Sequence, residues 1–244
     1  MANFPIFDAC TLFGPWPQHS ADLAVETLVH VMAQNNIVRS LVTDTTGVFY
    51  DYRVGNQETL EAARQHNQLI PVATLDPRSF PAAMEEAEKR ASEGFRLFRF
   101  FPDRQCWPLR LAPFRELLQK CDGLQVPVAV TVTHPGDATE LADALTFSQT
   151  PVLLAGVRPE NLGEVLCIAR NDPKFHIETT HLLAPHTFET IRDTLPNGIE
   201  RLIFASYSPL RYLSVALAPI MASTLSDEHK ALVLGGNLRR LLTK

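Results

Sequence analysis

The sequence predicts an α/β fold that closes into a single (β/α)8 barrel, and three observations carry that expectation. Short β-branched or aromatic runs alternate along the chain with longer stretches of helical apolar spacing, the pattern of βα units feeding a parallel sheet. Eight such runs occur about 25 to 35 residues apart, the length taken by a strand, a helix and two short loops. A chain of 244 residues with 45% hydrophobic content is near the usual size of one barrel and long enough to bury its core. A doubly wound open sheet is the competing arrangement of the same units.

Strands are expected at Phe4–Asp8, Val38–Thr43, Ile70–Asp76, Phe95–Phe101, Val126–Val132, Val152–Val157, Phe175–Thr180 and Leu202–Ser206. Several are apolar on both faces, as in Pro151-Val152-Leu153-Leu154-Ala155, which suits strands with helices outside and packed core inside. Ser20 before Ala21 reads as a helix N-cap, and Gly94 after Glu93 as a helix stop. No linker or composition shift divides the chain, so one soluble domain spanning 1–244 is expected. The net charge of -5 offers no footprint for a phosphate backbone or an anionic membrane surface. The start, Met1 to Asp8, lacks the basic and apolar stretches of a secretory signal, and no segment approaches the roughly 20 apolar residues of a membrane helix. Cys10, Cys106, Cys121 and Cys167 are scattered and read as reduced thiols, so the expected address is the cytoplasm.

Several segments, taken in order, carry a resemblance. Phe7-Asp8-Ala9-Cys10-Thr11-Leu12-Phe13-Gly14 resembles the first strand of the amidohydrolase-related family, whose pattern is Asp-x-His-x-His followed closely by Gly. The runs Ile70–Pro77, Gly94–Pro102, Leu124–Val128 and Phe204–Pro209 are similar to its third, fourth, fifth and eighth strands, and Gly236–Leu242 to its closing helix. The resemblance implies a TIM barrel. In metal-binding members it also implies a divalent ion held by two strand-one histidines, histidines at the ends of strands five and six, and an aspartate after strand eight. Here those positions carry Cys10, Leu12, Gly156 and Tyr207, while the strand-five position falls on Thr131 or His134 depending on the alignment. Zinc needs three or four N, S or O ligands at about 2.0 to 2.3 Å, and only Cys10 and His134 remain to serve, so neither a metal nor another cofactor is expected. The plainer readings make Cys10 a small core residue and His134 a loop residue before a Pro-Gly turn.

Polar groups nevertheless stand at the C-terminal ends of many strands, where barrels of this kind hold their ligands. The candidate binding residues are Asp8, Cys10, Arg96, Arg99, Thr131 and Tyr207, and the candidate catalytic residues are His181, Glu178 and His134. Asp8 and Cys10 share parity on a regular strand, as do Glu178 and Thr180; Arg96 and Arg99 have opposite parity, so one of them faces away from the interior. Arg99 is either a carboxylate clamp or the partner of a structural acid such as Asp8 or Asp76. His181 is either a general base or a solvated loop residue. Tyr207 either plugs the former metal position with its ring or donates its hydroxyl to an oxyanion. Arg39, Arg53, Arg64, Arg90 and Arg104 read as solvated.

Three functions fit these residues. One is a metal-free hydrolase or lyase acting on a small organic acid; the resemblance gives it a partial parallel in metal-independent dicarboxylate lactonases, which keep the strand-one histidines and strand-eight aspartate missing here. The others are a non-catalytic ligand-binding protein and a scaffold subunit paired with an active paralogue. The expected ligand is a small carboxylate. The segment Tyr212–Ala222 is apolar almost all round, which predicts a buried helix or a homodimer interface.

Overall fold

A computed structural model describes residues 4–17 and 23–243. Eight parallel strands follow one another around a barrel: β1 (Ile6–Phe13), β2 (Ile37–Asp44), β3 (Leu69–Thr74), β4 (Leu97–Phe100), β5 (Val128–Thr131), β6 (Val152–Ala155), β7 (Phe175–Glu178) and β8 (Leu202–Ile203). Sequential order excludes the doubly wound alternative, which needs a reversal of strand order. The last strand closes on the first. Ala9 N donates to Phe204 O at 2.8 Å, Tyr207 N to Cys10 O at 2.8 Å and Leu12 N to Ser208 O at 2.8 Å.

The ends of β1 and β8 differ from the sequence expectation for one physical reason. β1 runs on to Phe13, because Thr11, Leu12 and Phe13 pair with Val42, Thr43 and Asp44. Its register slips between Asp8 and Thr11, and this irregularity breaks the simple alternation of faces. Ala9 and Cys10 consequently both pack in the interior cluster, so the parity argument linking Asp8 to Cys10 fails. Opposite this slip, regular β8 is only Leu202–Ile203, and the segment after it meets β1 through the separate bonds given above.

One helix of eight residues or more follows each strand: α1 (Val25–Gln34), α2 (Tyr52–Gln65), α3 (Ala82–Ser92), α4 (Ala112–Gly123), α5 (Asp137–Ala144), α6 (Pro159–Asn171), α7 (Thr187–Thr194) and α8 (Leu213–Ala222). Short helical turns occupy Thr46–Phe49, Pro102–Gln105 and Asp227–Ala231, and a further helix, α9 (Asn237–Leu242), comes last. Gly94 follows α3 at φ +93°, a conformation that favours glycine, as its reading as a stop requires. Ser20 lies outside the described residues.

Strand register divides the core into two layers. Phe98, Val128, Val152 and Phe175 form one registered row, pack in the large outer cluster and are buried against the helices. One position on, Arg99, Ala129, Leu153 and His176 form the inward row. The interior cluster takes Ala9, Leu41, Val72, Leu97, Ala129, Leu153 and Ile203 from seven strands, and Leu238 and Leu241 of α9 pack on it. Burying each such Leu or Ile contributes roughly 1.5–3 kcal/mol.

Arg90 departs from its expected solvated role. It is 1% exposed, and its guanidinium donates to Glu86 Oε1 and Glu93 Oε2 at 2.7 Å each. Asn56 joins this network by donating to the same Glu86 oxygen at 3.0 Å, tying α2 to α3. In α8, Leu213, Ala216 and Ile220 turn inward, whereas Tyr212 ahead of it is 84% exposed and Val215 42% exposed. Among the described residues no helix is long and apolar enough to cross a membrane.

Candidate functional site

The C-terminal ends of β4 to β8 and the loops after them enclose a cavity of about 220 Å³. Its floor begins with Arg99, the third residue of β4, which shares the inward parity of Leu97. Arg99 Nη2 and Nη1 donate to the two oxygens of Glu178 at 2.5 and 3.1 Å, and Nη2 also donates to Ala9 O at 2.9 Å. Both side chains are almost wholly buried. Arg99 is therefore neutralised by an acid, and that acid is Glu178 at the end of β7, not Asp8 or Asp76. Asp76 instead forms a bidentate pair with Arg78, whose Nε donates to Oδ1 at 3.0 Å and Nη2 to Oδ2 at 2.7 Å.

Above this pair the walls turn cationic. Arg104, Arg158 and Arg211 all line the cavity, beside Thr131, Thr133, Thr180, His181 and Tyr207. Arg104 stands on a short helical turn, Pro102–Gln105, that brings its guanidinium to 5.6 Å over the Trp16 ring and 3.6 Å from Asp103. Its side chain is 39% exposed, in keeping with its reading as a solvated arginine, and it also forms part of the cavity wall. Arg211 is fixed by a hydrogen bond from its guanidinium to the Thr180 carbonyl. Burial, then the charges of Arg211, Arg158 and Arg104, hold the His181 imidazole down at about 4. Thr180 is 2% exposed, and among the described residues neither its Oγ1 nor His181 Nδ1 has a hydrogen-bond partner.

The other candidates are placed as follows. Thr131, the last residue of β5, lines the cavity, while His134 has a side chain 77% exposed and lines an adjoining cavity of about 430 Å³ with Trp107 and Asp137. Arg96 lies at the opposite end of the barrel, beside Leu241 and Leu242 of the closing helix. Asp8 and Cys10 are buried and do not line the cavity. Burial pushes the Asp8 carboxyl up to about 7 against the hydrogen bonds that Ser206 and the Cys10 N–H supply, and its Oδ2 has no partner among the described residues. Burial pushes the Cys10 thiol up to about 12, which leaves no thiolate for nucleophilic attack at neutral pH. Tyr207 sits at φ +66°, its ring edge-on to Trp16 at 6.2 Å, and burial pushes its phenol up. Leu12, Trp16 and Leu23 pack with it, so apolar groups fill part of the mouth and polar groups line the remainder.

The family's metal does not fit these residues. Leu12 has no donor and is fully buried in that cluster. Gly156 has φ +77°, and a Cβ there would meet Thr131 Cγ2 at 3.1 Å and Thr133 Cγ2 at 3.2 Å, so a ligating side chain needs both threonines to shift. Among the described residues no group of three His, Cys, Asp or Glu side chains is disposed to hold an ion.

The sequence model of the amidohydrolase family matches residues 51–243, which is most of the chain. The chain belongs to the amidohydrolase family. Its barrel is also similar to solved structures of named decarboxylases. A 2,6-dihydroxybenzoate decarboxylase from Rhizobium superposes with a TM-score of 0.75 at 16% identity, covering 98% of this chain and 99% of that one. A 5-carboxyvanillate decarboxylase from Sphingomonas paucimobilis gives 0.75 at 12% identity, with 98% and 99% covered. A dihydroxybenzoic acid decarboxylase from Polaromonas, solved with manganese and 2-nitroresorcinol, gives 0.74 at 14% identity, with 98% and 97% covered. At these identities the likeness is one of fold. No protein of curated function matches the sequence.

Sequence reasoning singled out neither Arg158 nor Arg211 and read Arg104 as solvated. Arg104 and Arg158 lie within four residues of a strand's C-terminal end and Arg211 in the loop eight residues after β8, and position after a strand is the signal that could have marked them.

Proposed function

We propose that this amidohydrolase-family barrel recognises a small organic acid in the cavity at its mouth, using arginines and no metal, within one domain spanning residues 1–244. The observation that carries the reading is the convergence of Arg104, Arg158 and Arg211 on Thr180 and His181. A guanidinium presents a planar fork of donors matched to a carboxylate, and a half-enclosed site strengthens each charge-assisted bond. The volume lies below the roughly 300–1,000 Å³ of drug-sized sites, in keeping with a small ligand. The decarboxylases that share the barrel, acting on dihydroxybenzoate and carboxyvanillate, give precedent for an aromatic acid as the ligand of such a fold.

Catalysis would be of the hydrolase or lyase class, with His181 as the proton-carrying residue over the Arg99–Glu178 floor. One observation favours the non-catalytic form, in which the barrel binds its ligand without turnover. An imidazole held at about 4 is a weak base, and the Glu178 carboxylate is engaged by Arg99. The lined cavity weighs against a pure scaffold. A homodimer is supported by the exposed apolar residues Tyr212 and Val215, and a cytoplasmic address by four unpaired cysteines.

The test is a thermal-shift screen of chelator-treated protein against aromatic acids, aliphatic acids and lactones, followed by mass spectrometry of every stabilising compound. A ligand at 100 times its Kd adds about 2.7 kcal/mol, which is readily seen. A carboxylate that stabilises and is consumed supports the enzyme; one that stabilises and stays intact supports the binding protein. Stabilisation by neutral or cationic compounds alone would refute the arginine-centred site, and a screen with no hits would leave the scaffold.

A further inference from the structure

Four guanidinium groups line the mouth cavity, those of Arg99, Arg104, Arg158 and Arg211, against the two carboxylates of Asp103 and Glu178. Glu178 is taken up by Arg99 through two hydrogen bonds, and Asp103 lies 3.6 Å from Arg104. Among the described residues neither Arg158 nor Arg211 has a carboxylate within ion-pair distance, so two positive charges face a concave surface unanswered. The chain as a whole carries -5, which makes this excess local to the mouth. The nearby acids Asp137 and Glu140 belong to the adjoining cavity, where Asp137 accepts the Thr133 and His134 N–H groups and Glu140 lies 3.8 Å from Arg110.

We propose that the ligand of this site carries two negative charges, as a small dicarboxylate or a phosphate monoester does. The proposal rests on the reading of the mouth as an organic-acid site and narrows it. Arg211 is already anchored to the Thr180 carbonyl, so its fork is positioned before a ligand arrives. The Thr180 hydroxyl, 2% exposed and without a partner among the described residues, adds a hydrogen-bonding group on the same wall. A singly charged acid satisfies one guanidinium and leaves the other repelled by its neighbours. A doubly charged one satisfies both.

The experiment is calorimetric titration near pH 8 at fixed ionic strength with benzoate, isophthalate and phenyl phosphate, and with butyrate against succinate. Each added charge-assisted contact predicts roughly 10- to 100-fold tighter binding for the dianion than for its singly charged counterpart. Preference for isophthalate or succinate identifies the carboxylate source, and preference for phenyl phosphate the phosphate source. Arg158→Gln and Arg211→Gln should each bring the dianion down to the affinity of the monoanion. Should Arg211→Gln unfold through loss of its bond to Thr180, Arg158→Gln, on an exposed side chain, carries the test. Equal affinities for singly and doubly charged acids would overturn the two-charge proposal and leave the organic-acid reading intact. No binding by any acid would overturn both.

Discussion

Replacing Arg99 by methionine leaves the Glu178 carboxylate inside the barrel with its counter-ion gone. Arg99 is 2% exposed and Glu178 1%, and the guanidinium supplies both bonds recorded to that carboxylate. Breaking a buried pair from one side costs about 3–5 kcal/mol, because a charge is stranded in low dielectric. Glu178→Met strands the opposite charge and should cost a similar amount. The double variant removes both charges in side chains of comparable length. Its remaining penalty is the Ala9 carbonyl, which loses the 2.9 Å bond from Nη2, about 1–3 kcal/mol. The pair of replacements should therefore be less damaging than either alone, a non-additivity of at least about 3 kcal/mol. Urea unfolding at pH 7 measures it, supported by Tm, where each single variant should fall by about 6–20 °C. Additive losses, or single variants within about 1 kcal/mol of the parent, would refute the reading of this pair as the electrostatic centre of the interior.

Other consequences follow from the buried titratable groups and the exposed apolar face. His181 is depressed to about 4 from its ordinary value near 6.5, so the unfolded chain binds its proton first, and stability should fall as pH drops from about 6.5 to 4. Partial exposure at the mouth reduces the effect to about 1–2 kcal/mol, and His181→Asn should flatten that limb in urea titrations run across the range. Asp8 has the opposite sign. Its carboxyl is raised to about 7 from 3.8, so the folded state holds the extra proton and stability should fall as pH rises from about 4 to 7, by up to about 4 kcal/mol. Asp8→Asn, which keeps an oxygen for the Cys10 and Ser206 N–H groups, should remove this slope. Cys106 and Cys167 are exposed whereas Cys10 and Cys121 are buried, so a thiol reagent should label two cysteines in native protein and four after unfolding. Rapid native labelling of Cys10 would contradict its burial. Sedimentation should show a dimer that Tyr212→Asp with Val215→Asp converts to monomer; a parent chain that is monomeric at all concentrations would count against the interface.

The barrel was legible because burial on both faces writes itself into each strand as a continuous apolar run, and all eight expected strands overlap those observed. Alternation along β4 places Arg99 on the side of Leu97, since that strand is regular, whereas Arg96 lies ahead of the strand at the barrel's other end, where the alternation does not reach. It failed on β1, where the register slip puts Ala9 and Cys10 on one side, and no residue in the sequence announces that slip. Partner choice was also hidden. Glu178 lies 79 residues from Arg99 and meets it only because β4 and β7 face each other across the closed interior. The cationic wall was the least visible part. Arg158 and Arg211 sit in loops and Arg104 on a single helical turn, where no periodicity reports direction, and each is indistinguishable in sequence from a solvated arginine until these segments converge.

The central claim is that arginines, and not a metal, hold an organic acid at this mouth. Titration of chelator-stripped protein with the best-binding acid, repeated with one equivalent of manganese in the cell, tests it most directly. The account predicts saturable binding of one acid per chain with the same Kd in both experiments, abolished by Arg158→Gln with Arg211→Gln. Acid binding that appears only when manganese is present, or that survives loss of both arginines, would contradict it.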